Sequence, residues 1–336
     1  MLKRGLPLLL VGLSVLAACG DKPDAKTPVT TASPALDDAL ALLPANAIMV
    51  GTVDARAFFG SETFGADLSK LIETYMPLGA EAGFTASKDV DRITFASYAY
   101  QGVDAAAVVV GRFDEAKIKQ AVTAQTQTKG GGYLVASQYA GRDVYTLNNI
   151  GFTILSPTRV VAGTESGIRR VLERIKDNRV KRDIPQWMLE TVESPGAAAA
   201  VAADFATQPI PPDVVQKYPV QFVKDMKGLR GLVSFKSPGM QIAGSLTYPD
   251  AASATANAEH VKSATSYLKL LSLVGVQVKG LDVKAEQSDV QVKLEIDDLT
   301  LRGVLAAVPQ WIGPPPRSSA PPPAPAPAPA PAPPSK

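Results

Sequence analysis

Residues 47–54 read AIMVGTVD, a run that predicts the first strand of the protein. It is short, apolar and rich in β-branched residues, and it ends at Asp54, as a buried strand does where it meets a turn. A similar run, AAVAADF, occupies residues 199–205 and places Asp204 at the matching position. The two aspartates lie 150 positions apart (204 − 54), so we infer that one structural unit occurs twice.

Short strands and helices alternate after the first strand. Apolar spacing predicts a helix at 64–75 and one at 165–176, while Asp114 is placed to begin a third helix. The predicted strand pairs lie at 93–100 with 106–113, 134–139 with 144–147, and 152–155 with 160–163. This mixture predicts an α+β fold built on antiparallel hairpins.

The same order returns after residue 199, with strands at 232–235, 241–248, 281–285 and 290–296 and a final helix at 299–308 that Asp298 caps. We align the 281–296 hairpin with the 134–147 hairpin, which leaves the 152–163 hairpin without a counterpart. The prediction is two similar halves, 41–182 and 183–312, each a mainly antiparallel sheet with packed helices. The alternative is that any α+β chain aligns with itself this loosely.

The N-terminus has the pattern of an export signal over residues 1–18. Lys3 and Arg4 precede an apolar run at 6–18, which has 13 residues (18 − 6 + 1). A membrane-spanning helix needs about 20 residues, so this run is too short to span. A basic start, a short apolar core and small residues at its end are typical of a signal peptide.

The run ends in Leu16-Ala17-Ala18-Cys19, which resembles the lipobox of bacterial lipoproteins. The resemblance implies cleavage between Ala18 and Cys19 and a lipid on the Cys19 sulfur, giving a firm membrane anchor. Gly20, rather than Asp, follows the cysteine, and in such proteins this favours the outer membrane, facing the periplasm, over the inner membrane. The alternative is a buried free cysteine in an ordinary apolar segment.

Two polar or proline-rich segments flank the predicted halves. Residues 19–40 contain the lipidated cysteine and a flexible tether. Residues 313–336 form a disordered Pro/Ala-rich tail, since 12 of the 23 residues from Pro314 onward are proline. The tail is either inert or a semi-rigid spacer or docking peptide.

Further wording extends the resemblance over residues 41–308. The segments LLPANAIMVGTVD (42–54), VGRFDEAKIKQAV (110–122), YAGRDVYTL (139–147) and RVVAGTESGIRRVLERI (159–175) follow the lipobox and tether. Together they resemble a loose class of uncharacterised bacterial envelope lipoproteins with a duplicated α+β domain of unknown function. The resemblance implies a fold and a location in the cell envelope, but it implies no catalytic motif and no ligand.

Composition excludes several classes of function. Lys and Arg number 34 against 32 Asp and Glu, a formal net charge of +2, which gives no reason to expect a nucleic-acid partner. One cysteine and one histidine exclude a disulfide within the chain and a zinc site built on Cys and His clusters. We therefore predict no metal and no cofactor.

The sequence contains no convincing catalytic set. His260 lies in a polar helix, the Gly-x-Ser-x-Gly pattern is absent, and Ser266-x-x-Lys269 lacks the companion motifs of penicillin-binding proteins. The pairs Asp37-Asp38 and Asp297-Asp298 stand where helices begin, and capping explains them. We predict that the protein is not an enzyme; a hydrolase that uses only carboxylates is the alternative.

One basic cluster is a candidate binding site. It consists of Arg169, Arg170, Arg174, Lys176, Arg179, Lys181 and Arg182. Within 169–182 only Glu173 and Asp177 oppose these cations. The cluster is either a solvated helix surface or a patch for anionic lipid, cell-wall polymer or another anionic surface.

Three functions remain open. The first is a lipid-anchored, non-enzymatic binding or scaffolding module in the periplasm, with cell-wall polymer, anionic lipid or an envelope protein as partner. The second is a carrier of a lipid or other hydrophobic ligand in an internal apolar cavity, which residues 267–276 would line. The third is the carboxylate hydrolase.

Overall fold

A computed structural model describes residues 36–75, 79–101, 103–124, 133–217, 221–235, 239–271 and 278–312. Its strands are β1 (Met49–Asp54), β2 (Val90–Ser97), β3 (Ala105–Gly111), β4 (Val135–Tyr139), β5 (Arg142–Leu147), β6 (Ile150–Ser156), β7 (Arg159–Thr164), β8 (Ala199–Asp204), β9 (Gly228–Phe235), β10 (Met240–Thr247), β11 (Val278–Glu286) and β12 (Asp289–Ile296). Its helices are α1 (Ala39–Leu42), α2 (Ala55–Phe59), α3 (Gly65–Tyr75), α4 (Ala86–Asp89), α5 (Glu115–Thr123), α6 (Glu165–Lys176), α7 (Gln186–Val192), α8 (Pro212–Lys217), α9 (Ala251–Leu271) and α10 (Asp298–Ile312). The described chain is thus α+β, as the sequence predicts.

One continuous antiparallel sheet contains all twelve strands. Their order across it is β11-β12-β10-β9-β8-β1-β2-β3-β7-β6-β5-β4. The sequence predicts a separate sheet for each half, whereas β1 and β8 pair directly at the centre. The reason is that both strands are apolar on both faces, so each needs a neighbouring strand on either side as well as cover above and below.

The β1–β8 seam is held by a reciprocal pair of hydrogen bonds at its ends. The Asp54 amide donates to the Ala198 carbonyl at 2.7 Å, and the Asp204 amide donates to the Ile48 carbonyl at 2.9 Å. The two donors, Asp54 and Asp204, lie 150 positions apart, and so do the two acceptors, Ile48 and Ala198. The seam therefore looks the same from either strand.

The sheet has packed layers on both faces. On the back face, α1, α6 and α7 cover the centre, and this back core includes Leu42, Val50, Ile168, Leu172 and Met188. On the front face, the front core contains Phe58, Phe64, Phe95, Ile118 and Leu301, contributed by elements that include α2, α5 and α10. A smaller distal core lies under α9 against β11 and β12, and it includes Ala254, Ala258, Val283 and Val290.

Side-chain caps fix several of the helix starts. The Asp54 carboxylate accepts from the Ala57 amide at 3.0 Å, Asp114 accepts from Lys117 at 3.1 Å, and the Thr164 hydroxyl accepts from Gly167 at 3.2 Å. Asp54 and Thr164 are the last residues of β1 and β7, and Asp114 lies three residues after β3. Each cap satisfies an amide that has no partner within the helix. Capping thus explains why short loops turn directly from sheet to helix.

The alignment of the two halves differs from the sequence prediction at one hairpin. β10 pairs with β12, just as β3 pairs with β7. By sheet position, the β11–β12 hairpin therefore matches β6–β7 rather than the 134–147 hairpin. The sequence alignment is wrong here because both hairpins have an Asp-Val pair after the turn, at 143–144 and 289–290.

None of the helices in the described ranges is both long and apolar enough to cross a membrane.

Candidate functional site

The residues of the lipobox lie outside the described part of the chain. Ala18 and Cys19 fall in the N-terminal segment that precedes residue 36. The anchor, the cleavage position and the choice of membrane stay predictions from the sequence.

The basic cluster lies on α6 and the loop that follows it, and Arg174 is its buried centre. Only 5% of Arg174 is exposed. Its guanidinium is 3.0 Å from Asp183 and donates to the Ala41 carbonyl at 3.3 Å and to the Lys181 carbonyl at 2.6 Å. Arg174 therefore ties the end of α1 to the loop after α6.

Most of the other cations of the cluster also have carboxylate partners. The ion pairs are Arg169–Glu165 at 2.5 Å, Arg170–Asp104 at 2.6 Å, Arg179–Asp177 at 2.8 Å, Lys181–Asp183 at 3.2 Å, Arg182–Asp38 at 2.7 Å and Arg182–Glu193 at 2.9 Å. Lys176 is exposed and has no ion pair among the described residues. Local pairing reduces the positive potential that an anionic surface would meet, although binding to such a surface stays a prediction.

Arg170 belongs to a compact polar network at the start of α6. Its guanidinium lies 4.2 Å from the centre of the Tyr98 ring, a cation–π contact. The Tyr98 hydroxyl donates to the Pro44 carbonyl at 3.0 Å, and Ser166 donates to Asp104 at 3.0 Å. Burial raises the pKa of the Tyr98 hydroxyl, and the charge of Arg170 only partly opposes this rise. The network pairs the charges of Arg170 and Asp104 and so holds elements together, although the Nε of Arg170 is buried without a hydrogen-bond partner.

The predicted carboxylate pairs have structural partners. Asp38 caps α1, accepting from the Leu40 amide at 3.1 Å, and Asp37 is 2.6 Å from the Arg159 guanidinium. Asp204 accepts from the Ala206 amide at 2.9 Å and from the Thr207 hydroxyl at 2.6 Å. Each of these carboxylates is occupied in a turn, a cap or an ion pair.

The final helix begins one residue earlier than predicted. The Asp297 carboxylate accepts from the Thr300 amide at 2.9 Å and is therefore the cap. Asp298, the predicted cap, instead accepts from the Thr63 hydroxyl at 2.9 Å and connects α10 to the start of α3. Asp297 thus caps the start of this helix, and Asp298 attaches it to Thr63.

His260 lies on the exposed side of α9. Ser266 and Lys269 are also in α9, but the structure does not describe their side chains. Within the described residues, no group of three or more His, Cys, Asp or Glu side chains could hold a metal ion. Whether the protein is an enzyme stays a matter of prediction.

A strip of half-buried apolar residues on the front face is a feature that the sequence does not reveal. This inter-cluster strip consists of Val201, Leu229, Gly231, Ile242, Gly244 and Leu294. Gly231 pairs with both Val201 and Gly244, and Ile242 pairs with Leu294, so the six share one face of β8, β9, β10 and β12. The described members of the front core and the distal core flank the strip without including it.

Two glycines lie in the middle of the strip. Gly231 and Gly244 pair with each other across β9 and β10. A Cβ atom added at Gly231 would meet the Val201 side chain at 3.0 Å, and one added at Gly244 would overlap the Arg230 carbonyl oxygen, so the neighbouring residues close in on both positions. On one side stand Val233 and Met240 of the front core, and on the other stand Leu246 and Val292 of the distal core. The strip therefore lies between two packed cores. Its sequence signal is weak, because Gly244 lies in the predicted strand 241–248, Gly231 lies just before the predicted strand 232–235, and the sequence does not give their register.

The described fold therefore defines an α+β protein with one large antiparallel sheet. No family model matches the chain, and no curated protein matches it. Among solved structures it is similar to TP0453. Crystal form I overlaps with a TM-score of 0.48 at 12% identity, over 81% of this chain and 97% of that one. Crystal form IV overlaps with a TM-score of 0.46 at 11% identity, over 80% of this chain and 96% of that one.

Proposed function

We propose that this protein is a lipid-anchored envelope lipoprotein that works as a non-enzymatic binding or scaffolding module in the periplasm. The observation that carries the proposal is the inter-cluster strip. Apolar surface that stays partly open between two packed cores is a surface that a partner can cover with a gain in free energy. The partner contacts Ile242 and Leu294, two half-buried side chains of the strip that pair with each other across β10 and β12.

The address rests on the sequence. Cys19 in Leu-Ala-Ala-Cys supports attachment to a membrane through lipid, and Gly20 favours the outer membrane facing the periplasm. An envelope protein is the partner that suits the strip best, because the strip is an apolar surface. The basic cluster suits anionic lipid or cell-wall polymer less well, since its cations are largely paired within the fold.

We also infer that the two halves arose from one duplicated unit. The reciprocal hydrogen bonds at the β1–β8 seam, offset by 150 positions on both strands, support this. So does the matching use of β1, β2 and β3 on one side and β8, β9 and β10 on the other. A duplicated unit that pairs through its first strand produces a single sheet with two related wings.

The address is tested by replacing Cys19 with Ala in the full chain. We expect loss of palmitate labelling and loss of the protein from the membrane fraction, because the acyl chains supply the membrane affinity. Replacement of Ser14, which lies inside the apolar run, by Ala is the control and should leave both unchanged. Retained labelling of the Cys19→Ala chain would exclude a lipid on this residue.

The binding surface is tested by photo-crosslinking in cells. A photoreactive residue at Ile242 or at Leu294 should form one defined adduct with an envelope protein. The same residue at Lys70, exposed on α3, should not. Equal labelling at all three positions, or none at any, would count against the strip as the contact surface.

A carrier of a lipid or other hydrophobic ligand is the second candidate, and the apolar character of the same strip favours it. Native mass spectrometry of the full chain with Cys19→Ala distinguishes the two functions. Added mass that solvent extraction identifies as lipid would establish the carrier. A bare mass, together with the crosslink, would support the binding module.

A further inference from the structure

The back face of the sheet holds a polar opening. This polar cleft has a volume of about 320 Å³ and lies between α7 and strands β9 and β10. Glu190, Thr191 and Ser194 line it from α7 and the turn after it, Arg230 and Ser245 line it from the sheet, and Leu232, Ala243 and Gly244 form its apolar floor. Its volume is at the small end of the range for small-molecule sites.

Arg230 supplies the positive charge of the polar cleft. Its guanidinium lies 5.1 Å from the centre of the Trp187 ring. Stacking of this kind uses the flat face of the guanidinium and leaves its edge N–H groups free to donate. Among the described residues, Arg230 has no ion pair with a carboxylate. Its N–H groups are therefore open to a ligand.

Glu190 supplies the negative charge. Its carboxylate accepts from the Gln186 side-chain amide at 3.2 Å, a contact along the surface of α7. Glu190 and Arg230 line the same polar cleft, yet these two described residues do not form an ion pair with each other. Two opposite charges in one small cleft, held apart by the helix and the sheet, leave a space with a charged group on each side.

Three hydroxyl groups, those of Thr191, Ser194 and Ser245, also belong to residues that line the polar cleft. Ser245 is directly opposite Arg230 across β9 and β10. The Ser194 hydroxyl donates to the Glu190 carbonyl at 3.1 Å, and the Thr191 hydroxyl donates to the Trp187 carbonyl at 2.8 Å. The oxygens of Ser194 and Thr191 remain able to accept, and Ser245 is free to donate or accept.

We propose that the polar cleft binds a small zwitterion, either a free amino acid or a short peptide. The ligand's carboxylate is held by the Arg230 guanidinium with help from Ser245, and its ammonium is held by Glu190. Charge-assisted hydrogen bonds at both ends make the site selective for a molecule that has both charges. The polar cleft shares Gly244 with the inter-cluster strip, but its charged side chains Glu190 and Arg230 are not part of the strip, so this inference does not depend on the proposed function.

Calorimetric titration of the full chain in mild detergent tests the carboxylate end, with alanine and alanyl-alanine as probes. We expect at least one of the two to bind, and the tighter one identifies the source of the ligand. Arg230→Gln should weaken binding by about tenfold or more. Arg92→Gln removes an exposed arginine from β2 and is the matched control, expected to bind as the unaltered chain does.

The ammonium end is tested with N-acetyl-alanyl-alanine, which keeps the carboxylate and lacks the ammonium. Glu190→Gln should weaken binding of alanyl-alanine and leave the weaker binding of the acetylated probe unchanged. Thermal unfolding of each variant checks that it is folded. Absence of binding by both zwitterions, or equal binding by the unaltered chain and Arg230→Gln, would overturn the proposal.

Discussion

At the scale of single residues, Arg174 shows how the fold uses the basic cluster. This side chain is almost completely buried, and its charge is matched by the Asp183 carboxylate and two backbone carbonyls. Asp183 is a quarter exposed and also pairs with Lys181, so the main cost of removing Arg174 is that the Ala41 and Lys181 carbonyls lose their charged donor. The cluster is therefore a source of stability at this point, whatever else it binds.

We expect Arg174→Met to lower the free energy of unfolding by about 2 kcal/mol or more. Methionine fills part of the same space but cannot satisfy Asp183 or the Ala41 carbonyl. Urea unfolding followed by circular dichroism measures the change. Arg179→Met is the control: Arg179 and Asp177 are both exposed, so the loss should be below about 1 kcal/mol. Equal losses would show that burial of Arg174 is not what matters.

The environment of Asp183 predicts how the stability of the protein changes at acidic pH. Burial acts to raise the pKa of this carboxyl, but hydrogen bonds from Arg174 and Lys181 outweigh it and hold the pKa below its ordinary value of 3.8. A carboxyl whose pKa is lower in the folded state stabilises the fold fully above the unfolded pKa. That contribution is lost as the pH falls through the folded pKa.

We therefore expect Asp183→Asn to be less stable than the unaltered chain at neutral pH, with the difference shrinking below a pH of about 3.8, the ordinary carboxyl pKa. Urea midpoints of both chains across this range measure it. Glu62→Gln, at an exposed carboxylate, should show no such convergence. A difference that stays constant with pH would rule out titration of Asp183 as the cause.

The sequence predicts the members of the basic cluster but not their partners. Spacing shows seven cations within one segment, and it shows Asp177 beside them. Asp104 and Asp38 are 66 and 144 positions away from Arg170 and Arg182. Only the folding of β3 and α1 against α6 brings these carboxylates close, and no local pattern contains that information.

At the scale of elements, the contact of α6 with β3 depends on a missing side chain. A Cβ atom added at Gly167 would overlap the carbonyl oxygen of Ala105 at the start of β3. The helix therefore lies so close to the strand that only glycine fits at this position. The atom in the way belongs to the backbone of β3, which cannot move aside as easily as the end of a flexible side chain could.

We expect Gly167→Ala to destabilise the protein by about 1–3 kcal/mol, the usual cost of overpacking. Helix propensity alone predicts the opposite sign, because alanine favours a helix over glycine by about 1 kcal/mol. Thermal and urea unfolding decide between the two. Gln120→Ala, on the exposed side of α5, is the control and should leave stability nearly unchanged. Stabilisation by Gly167→Ala would mean that α6 can move away from β3 at little cost.

Elements with a strong local pattern are the ones that the sequence predicts well. α6 has the predicted bounds, since a cap, an apolar stripe and basic residues in its last turn agree. The short helices α2 and α7 are not predicted, because 5 and 7 residues are too few to show a helical period. For α1, of 4 residues, only the start is predicted, from the capping pair Asp37-Asp38. Both charged ends of the polar cleft depend on α7, so the cleft could not be predicted either.

At the scale of the whole molecule, the β1–β8 seam joins the two wings into one sheet. Ala202 is fully buried at this seam and pairs with Val50. One wing consists of β1–β7 and the other of β8–β12. Because β1 and β8 are hydrogen-bonded to each other, loss of either strand removes backbone partners from the other wing. We therefore expect the wings to unfold together.

Hydrogen exchange in increasing denaturant tests this expectation. Peptides from β2 and from β10 should lose protection over the same denaturant range. Ala202→Asp places a charge in the buried seam and should lower the stability of both wings by about 3 kcal/mol or more. Earlier loss of protection in β10 alone, in the unaltered chain, would show that the second wing unfolds independently.

The single sheet is also what the sequence analysis could not anticipate. Recognition of similar runs at 47–54 and 199–205 predicts a repeat but not where the copies meet. Pairing of β1 with β8 requires strands 150 residues apart, and both are short apolar runs that local patterns cannot tell from strands of separate sheets.

The two ends of the described chain leave from opposite faces of the sheet. α1, at the N-terminal end, packs into the back core, whereas α10, at the C-terminal end, packs into the front core. A pull applied between the two ends would therefore pass through the thickness of the sheet and would not peel one layer from its surface. Arg159, Arg174 and Arg182 fasten one end, and Thr63 fastens the other, so these are the first contacts to bear such a mechanical load.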